Sequence, residues 1–315
     1  MSGVKIAFWG LGSIAKRHIR NLKAVLAERG EGFTIDIYRH RAQEITEHDI
    51  KDLIRNSFVA DEWGREAYDY VFITNPTLLH YETIRKCAPQ ARALFIEKPV
   101  FDGVGYDVRA LAIPEHVQCY VACPLRYNRV LQYVKSNIPA DEVISVRAIS
   151  SSYLPDWRPG TDYRKTYSAR AEMGGGVAID LIHEWDYLTF LFGMPKGVSY
   201  IGGTFSRLDI NSDDLAVYIA GYEDKVVELH LDYFGRSSER LLRLYTNDDV
   251  IDADILNGCI RWKKSGETVQ LPGERDDAQK RELRHFMDIA DGKIANDSTI
   301  SHAVEVLKLA KGCSA

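Results

Sequence analysis

Near its start this chain carries an apolar run, a glycine-spaced turn and an amphipathic helix in immediate succession. Residues 4 to 9 (Val-Lys-Ile-Ala-Phe-Trp) read as a strand, and Gly10-Leu11-Gly12-Ser13-Ile14-Ala15 makes the turn. Ile14, His18, Leu22, Val25 and Leu26 then share one face of a helix. Gly-x-Gly-x-x-Ala in that context has a physical reading at each position. The first glycine permits a tight turn, the second lets a pyrophosphate approach the backbone, and the small third residue lets helix and strand pack closely. The helix N-terminus adds unpaired N–H groups and a partial positive charge. The pattern predicts a dinucleotide site. The competing reading is an ordinary strand–helix turn.

The alternation continues. Phe33 to Tyr38 reads as a second strand, Tyr70 to Thr74 as another ending at Asn75-Pro76, Thr77 to Lys86 as a helix, and Ala93 to Ile96 and Val117 to Val121 as strands. Strands alternating with helices predict a parallel, doubly wound α/β sheet. After residue 121 the pattern changes. Asn128 to Ile138 reads as a helix and Val143 to Ser150 as a strand, and a polar-aromatic loop spans Tyr153 to Ser168. Gly174-Gly175-Gly176 then precedes a helix over Val177 to Phe192. The runs 215–222, 226–233, 240–245 and 250–255, with shorter ones at 259–263 and 268–271, follow without helices between them and predict an antiparallel sheet. Helices over 278–290 and 301–311 end the chain.

In a parallel sheet the carboxyl ends of the strands carry the ligand site. Thr74, Asn75 and Pro76 fall at one such end and are expected to line the cofactor groove. The second strand ends at Arg39-His40-Arg41, whereas Asp36 lies inside it. An arginine at that tip accommodates a 2′-phosphate, so the reading favours NADP, with NAD bound beside a solvated basic loop as the alternative. Glu97-Lys98-Pro99 follows the buried run Ala93 to Ile96 and places a lysine at another strand tip. Moving hydride to or from an alcohol carbon also requires moving a proton on oxygen, and Lys98 is a candidate for that work. Asp180 and His183 are the second candidate pair, because positions i and i+3 share a helix face and a carboxylate can fix an imidazole tautomer. The glycine triplet would let substrate or cofactor approach the backbone. Each of these also has a plain structural reading: a solvated loop lysine, a surface Asp–His pair and a turn.

Composition narrows the classes. With 40 basic and 45 acidic residues, net charge −5 and no basic block, the chain does not read as a nucleic-acid binder. No apolar run approaches the roughly 18 residues of a membrane span. The residues Met1-Ser2-Gly3-Val4 lead straight into the first strand, leaving no room for a signal peptide. Five scattered cysteines fit reduced thiols, hence a cytoplasmic protein, and suggest neither a disulfide framework nor a metal site.

Together these motifs resemble the Gfo/Idh/MocA family, the glucose-fructose oxidoreductase and inositol dehydrogenase group. The resemblance rests on residues 10–15, on Thr74-Asn75-Pro76-Thr77 with His80, and on Glu97-Lys98-Pro99. It continues through Gly174-Gly175-Gly176, Asp180, His183 and Asp186 to the helix with Glu282 and Phe286. It implies an N-terminal Rossmann domain (residues 1–121) and a C-terminal α+β domain (122–315) with an open, mainly antiparallel sheet. In the family that sheet commonly mediates homodimers or homotetramers. The last helices are expected to pack back on the first domain. The resemblance also implies that Lys98 and His183 act beside the nicotinamide, with Asp180 as orienting or binding partner, and that His80 and Glu97 belong to the cofactor-binding set. Many members place the histidine four residues after the aspartate. Here the gap is three, so Asp180, His183 and Glu184 stay open as carriers of the proton step.

The loop Tyr153 to Arg164 resembles a subgroup of bacterial surface-sugar pathways. Its Trp157, Arg158, Tyr163 and Arg164, with Arg126, form the expected substrate-binding set. Arginine forks suit a phosphate, nucleotide or carboxylate, and aromatic faces suit rings; a structural loop packing Trp157 and Tyr163 is the alternative. The expectation is an NAD(P)-dependent oxidoreductase acting on a hydroxyl or ketone carbon of a sugar, sugar phosphate or nucleotide sugar. A non-catalytic dinucleotide-binding regulatory or assembly protein is the rival reading.

Overall fold

Six strands form one all-parallel sheet: β1 (Val4–Trp9), β2 (Phe33–Arg39), β3 (Ile54–Val59), β4 (Tyr68–Ile73), β5 (Ala91–Ile96) and β6 (Gln118–Val121). Their order is β3-β2-β1-β4-β5-β6, the doubly wound arrangement in which connections diverge between β1 and β4. Helices α1 (Ser13–Glu28), α2 (His48–Lys51) and α3 (His80–Cys87) connect strands of this sheet. The computed structural model describes residues 3–41, 44–64 and 66–313. Met1 and Ser2, from which the absence of a signal peptide was argued, lie outside them.

The strands form where apolar residues run uninterrupted, because helices cover both faces of a parallel sheet. Phe8, Phe72, Phe95 and Tyr120 occupy one row of the register across β1, β4, β5 and β6. The first three rings stack in series, with centroids 4.6 and 4.9 Å apart, and Tyr120 meets Phe95 at a tilt at 5.5 Å. Each buried ring is worth roughly 1.5–3 kcal/mol relative to exposure. Phe286 closes this row edge-on from α7 (Asp277–Ala290). The strand β3 escaped the sequence reading because its residues alternate half-buried and exposed along a polar edge (Arg55, Asn56, Ser57).

The second sheet has eight strands in the order β14-β13-β12-β11-β7-β10-β9-β8. They are β7 (Val143–Tyr153), β8 (Gly197–Gly203), β9 (Leu215–Gly221), β10 (Val226–Asp232), β11 (Phe234–Thr246), β12 (Val250–Asp254), β13 (Cys259–Trp262) and β14 (Thr268–Gln270). Neighbours are antiparallel except for β7 and β10, which run parallel. The consecutive strands β10 and β11 do not pair with each other, as their short connection suggested; β7 lies between them. The Asp232 carboxylate accepts from the backbone N–H groups of Phe234 and Gly235 and so shapes the crossing.

One face of this sheet is apolar and covered: Ala148, Leu229, Leu242, Ala253 and Ile260 are buried, and Trp185 meets Tyr218 edge-on. The opposite face carries the Arg147–Glu228 ion pair and leaves Ile201, Ile219 and Val226 exposed. The remaining helices are α4 (Arg129–Asn137), α5 (Val177–Asp180), α6 (His183–Phe192) and α8 (Ile300–Ala310). The chain divides into two compact units, Met1–Cys123 with Gln279–Val304, and Pro124–Ala278 with Glu305–Ala315. Among the described residues no helix is long and apolar enough to cross a membrane.

Candidate active site

The residues singled out in the sequence divide between the two units. In the first, β1 ends at Trp9 and the chain turns at Gly10, whose φ of +96° favours glycine. A Cβ there would stand 2.9 Å from the Thr74 carbonyl oxygen, so β1 and β4 close on each other at the switch point. Gly12 is the N-cap of α1. Its conformation is extended, and a Cβ on it would meet nothing within 4 Å. The space before the first turn is therefore open, and that turn contains no acid. These features fit a dinucleotide pyrophosphate, and Gly10, Gly12, Ser13, Ile14 and Ala15 are the residues that could cradle it.

A cleft of about 560 Å³ continues from the cradle. Trp9, Tyr38, Arg39, His40 and Arg41 form one wall, and Asn75, Pro76, Leu79, Thr83 and Lys86 another. The Arg39 guanidinium donates to Ser57 Oγ at 2.8 Å, while His40 and Arg41 are exposed. Asp36 is buried and committed elsewhere: it accepts from Arg55, from Asn56 Nδ2 and from the Tyr68 hydroxyl. Burial pushes its carboxyl up, but Arg55 and Tyr68 outweigh that and hold it below the usual range. Glu82 lines the same cleft as Arg39, His40 and Arg41. Lys86 donates to the Ala60 carbonyl at 2.9 Å and lies 5.3 Å over the Trp9 ring.

The other expected cofactor residues brace this cleft. Thr74 Oγ1 donates to the Trp9 carbonyl at 2.9 Å, and Asn75 Nδ2 to Thr83 Oγ1 at 2.8 Å. His80 is buried, with its ring nitrogens facing the carbonyls of Asn75 and Val100. Burial holds its pKa below the ordinary histidine value despite those bonds. Glu97 is not among the residues that line the cleft: its Oε1 accepts from Nε2 of the buried His18 at 2.6 Å. Burial alone would raise the Glu97 carboxyl, but His18, Lys98 and His80 bring it below its usual range. Lys98 is half-buried beside it, and its backbone N–H donates to Glu97 Oε2 at 3.2 Å. The residue before the catalytic candidate is thus bolted to α1, the helix that opens at the cradle. Sequence reading placed His18 on the apolar face of α1 and missed this role; a histidine amid leucines was the available signal.

In the second unit the expected single helix over 177–192 is two helices. Leu181 departs from helical geometry (φ −98°, ψ 27°), and the N–H groups of Ile182 and Glu184 bond three residues back rather than four. Asp180 ends α5 and His183 begins α6, so the shared-face argument for i and i+3 does not apply. Asp180 is buried and accepts from the hydroxyls of Tyr167 and Tyr233. Burial and the Asp180 charge raise both phenols. His183 is half-buried; Glu184 is fully buried and accepts from Arg240 at 2.7 Å. Within the glycine triplet Gly175 is close-packed against its own chain, whereas a Cβ on Gly174 would meet nothing within 4 Å. A Cβ on Gly175 would collide with the Tyr167, Ser168 and Arg170 carbonyls, so that residue admits no approaching ligand.

Trp157 stands edge-on to Tyr233 at 5.3 Å, and Trp157, Arg158 and Tyr163 line one shallow pocket. The Arg158 guanidinium lies 5.9 Å from the Tyr167 ring centre. Arg126 is remote from this group in its bonding, buried and forked on Asp186 at 2.9 and 2.7 Å. Arg164 is forked on Asp162. Tyr167 and Tyr233, which hold Asp180, were not singled out in sequence; their separations of 13 and 53 residues from it leave no local signal.

The chain matches an oxidoreductase family with an NAD-binding Rossmann fold over residues 4–121 and the GFO/IDH/MocA C-terminal domain over residues 131–245. It belongs to the GFO/IDH/MocA family. This GFO/IDH/MocA protein is 24% identical over 233 residues to the uncharacterized oxidoreductase YrbE of Bacillus subtilis (strain 168). That match covers 68% of this chain and 62% of YrbE. Among solved structures, the UDP-N-acetylglucosamine 3-dehydrogenase GnnA of Acidithiobacillus ferrooxidans superposes with a TM-score of 0.76 at 17% identity, covering 99% of this chain and 96% of GnnA. The WlbA dehydrogenase of Bordetella pertussis, in complex with NADH and UDP-GlcNAcA, gives 0.75 at 17% identity, covering 99% and 95%. At such identities the likeness establishes the shared fold.

Proposed function

We propose that this protein is an NAD(P)-dependent oxidoreductase acting on a CH–OH group, or its ketone, of a sugar, sugar phosphate or nucleotide sugar. The observation that carries the reading is the tie from Lys98 through Glu97 and His18 to α1, which fixes a half-buried lysine relative to the open glycine cradle. The nicotinamide, when bound, supplies or accepts the hydride. The chain's own residues do the rest: Gly10 to Ala15 hold the pyrophosphate, and Arg39, His40 and Arg41 favour the 2′-phosphate of NADP. Thr74, Asn75, Pro76 and His80 support the cleft, with Glu97 as anchor. Lys98 moves the hydroxyl proton, and His183 is the second titratable group assigned to that step. Asp180, held by two tyrosines, orients a sugar hydroxyl.

Residues 1–121 are assigned the cofactor, and residues 122–315 the substrate and the subunit contact. The exposed face of the eight-stranded sheet, with Ile201, Ile219 and Val226, is the proposed homodimer or homotetramer surface. GnnA and WlbA, both matched over nearly the whole fold, motivate the nucleotide-sugar substrate class.

The test is turnover by the purified protein, followed by nicotinamide absorbance, with NADH, NADPH and their oxidised forms against nucleotide sugars and sugar phosphates. Lys98→Ala should lower turnover by about 100-fold or more, in the range of a positioned acid or base, and leave NAD(P)H affinity near that of the parent. Absence of turnover across the panel with the cofactor bound, or full activity in Lys98→Ala, would overturn the reading.

A further inference from the structure

We propose that Arg158 and Arg236 form an anion subsite for the phosphate group of a phosphorylated sugar substrate, beside the tyrosines that hold Asp180. The inference rests on the substrate class proposed above and deepens it. Many arginines of the second unit are neutralised: Arg126 by Asp186, Arg164 by Asp162, Arg240 by Glu184 and Arg243 by Asp252. Arg158 and Arg236 differ. Both are exposed, and neither forms an ion pair with any described carboxylate. Each instead lies over a tyrosine: Arg236 with its guanidinium 3.8 Å from the Tyr153 ring centre, Arg158 at 5.9 Å from that of Tyr167. A cation–π contact holds a guanidinium beside the ring while leaving N–H groups available for an oxyanion.

The placement of Arg236 is a product of the fold. The pairing of β11 with β7 breaks between Phe234 and Glu239, so residues 235–238 bulge out of the ladder. Bulges of this kind re-aim a side chain and are frequent beside active sites. Asp232 anchors the start of the bulge through the Phe234 and Gly235 N–H groups at 3.0 and 2.7 Å. The two arginines are joined through one set of contacts. Tyr153, under Arg236, pairs with Phe234, and the next residue, Leu154, donates its N–H to the Tyr233 carbonyl at 2.9 Å. The hydroxyls of Tyr233 and of Tyr167, the latter beneath Arg158, both donate to Asp180. An uncharged sugar needs only the carboxylate and hydroxyls of that cluster. Two unpaired guanidiniums at its edge suit a phosphate or diphosphate, which the Asp180 charge would otherwise repel.

The test is calorimetric titration of the protein saturated with NADH, using uridine diphosphate, glucose 1-phosphate and glucose as probes. The parent should bind at least one phosphorylated probe. Arg158→Gln and Arg236→Gln should each weaken it by about 10- to 100-fold, as for loss of a charged hydrogen bond, and should leave glucose binding and the melting temperature unchanged. Arg236→Lys should recover part of the loss. Tighter uridine diphosphate would identify a nucleotide diphosphate as the source of the anion, and tighter glucose 1-phosphate a sugar monophosphate. The proposal falls if neither phosphorylated probe binds the parent, if both Gln variants bind as the parent does, or if uridine diphosphate merely displaces NADH. Failure of the oxidoreductase reading looks different: the arginine-dependent binding persists, and no substrate is turned over.

Discussion

The two glycines of the turn should separate stability from cofactor binding. Gly10 has φ +96°, and a Cβ there would stand 2.9, 3.0 and 3.1 Å from the Thr74 O, Asn75 N and Asn75 Cα atoms. A non-glycine residue in a sparsely populated backbone region costs about 1–3 kcal/mol. The three contacts are with backbone at the end of β4, which cannot rotate away as a side chain would, and overpacking of that kind costs roughly another 1–3 kcal/mol. Gly10→Ala should therefore lose about 2–6 kcal/mol, a melting-temperature drop of about 4–24 °C at the ~2–4 °C per kcal/mol usual for chains of somewhat smaller size. Gly12→Ala should behave in the opposite way. Its φ is −75°, and its Cβ meets nothing within 4 Å, so stability should change by no more than about 1 kcal/mol. That same methyl occupies the space assigned to a pyrophosphate, so NADH and NADPH should bind at least about tenfold more weakly, a loss of ~1.4 kcal/mol. Thermal melting and fluorescence titration of both variants make the comparison. A Gly12→Ala protein that binds cofactor like the parent would refute the cradle, and an unchanged melting temperature for Gly10→Ala would refute the close approach.

Three further outcomes are expected. Arg39→Ala should weaken NADPH by about tenfold, the value of one charge-assisted bond, and NADH little; equal losses in parallel titrations would remove Arg39 from 2′-phosphate recognition. His18→Phe removes the hydrogen-bond donor to the Glu97 carboxylate, and leaving such an acceptor unsatisfied costs roughly 1–3 kcal/mol. Chemical denaturation should show that loss and show it shrink when Glu97→Gln is added. The Asp36 and Glu97 carboxyls sit below their ordinary values of 3.8 and 4.5, so the unfolded chain binds more protons than the folded one as pH falls. Their contribution is full above those ordinary values and drains away below them. Asp36→Asn should flatten the acid limb of stability against pH; an unchanged slope would mean that Asp36 is not held in its charged form.

The fold was legible where one physical constraint dominates a segment. The apolar runs of β1, β4 and β5 are continuous because both faces of a parallel sheet are covered, and the 3.6-residue apolar period of α1 shows which face it buries. It was illegible where constraints compete. The edge strand β3 presents polar residues to solvent, and β8 contains three glycines, so neither carries a strong strand signature. The run from Val177 to Phe192 has helical composition throughout, yet Asp180 bonds to two tyrosines outside the helix and the backbone steps off at Leu181. Composition could not register that step, because the tyrosines that hold the carboxylate belong to other elements.

The candidate site follows the same division. Motifs report the backbone: glycines mark the cradle, and a lysine before proline marks a strand tip. They do not report which charges are already spent. Arg126, Arg158 and Arg164 are equivalent as letters, yet Arg126 and Arg164 are forked on aspartates while Arg158 lies over a tyrosine with no described carboxylate in range. A paired guanidinium must give up its carboxylate before it can bind a substrate anion, and the desolvation of the carboxylate left behind opposes the exchange most strongly where the pair is buried, as at Arg126. A guanidinium held beside a ring, with no carboxylate partner, has no such exchange to make. By that criterion Arg236, which no motif marks, outranks Arg126 as an anion ligand, and His18, hidden on an apolar helix face, holds the carboxylate next to Lys98.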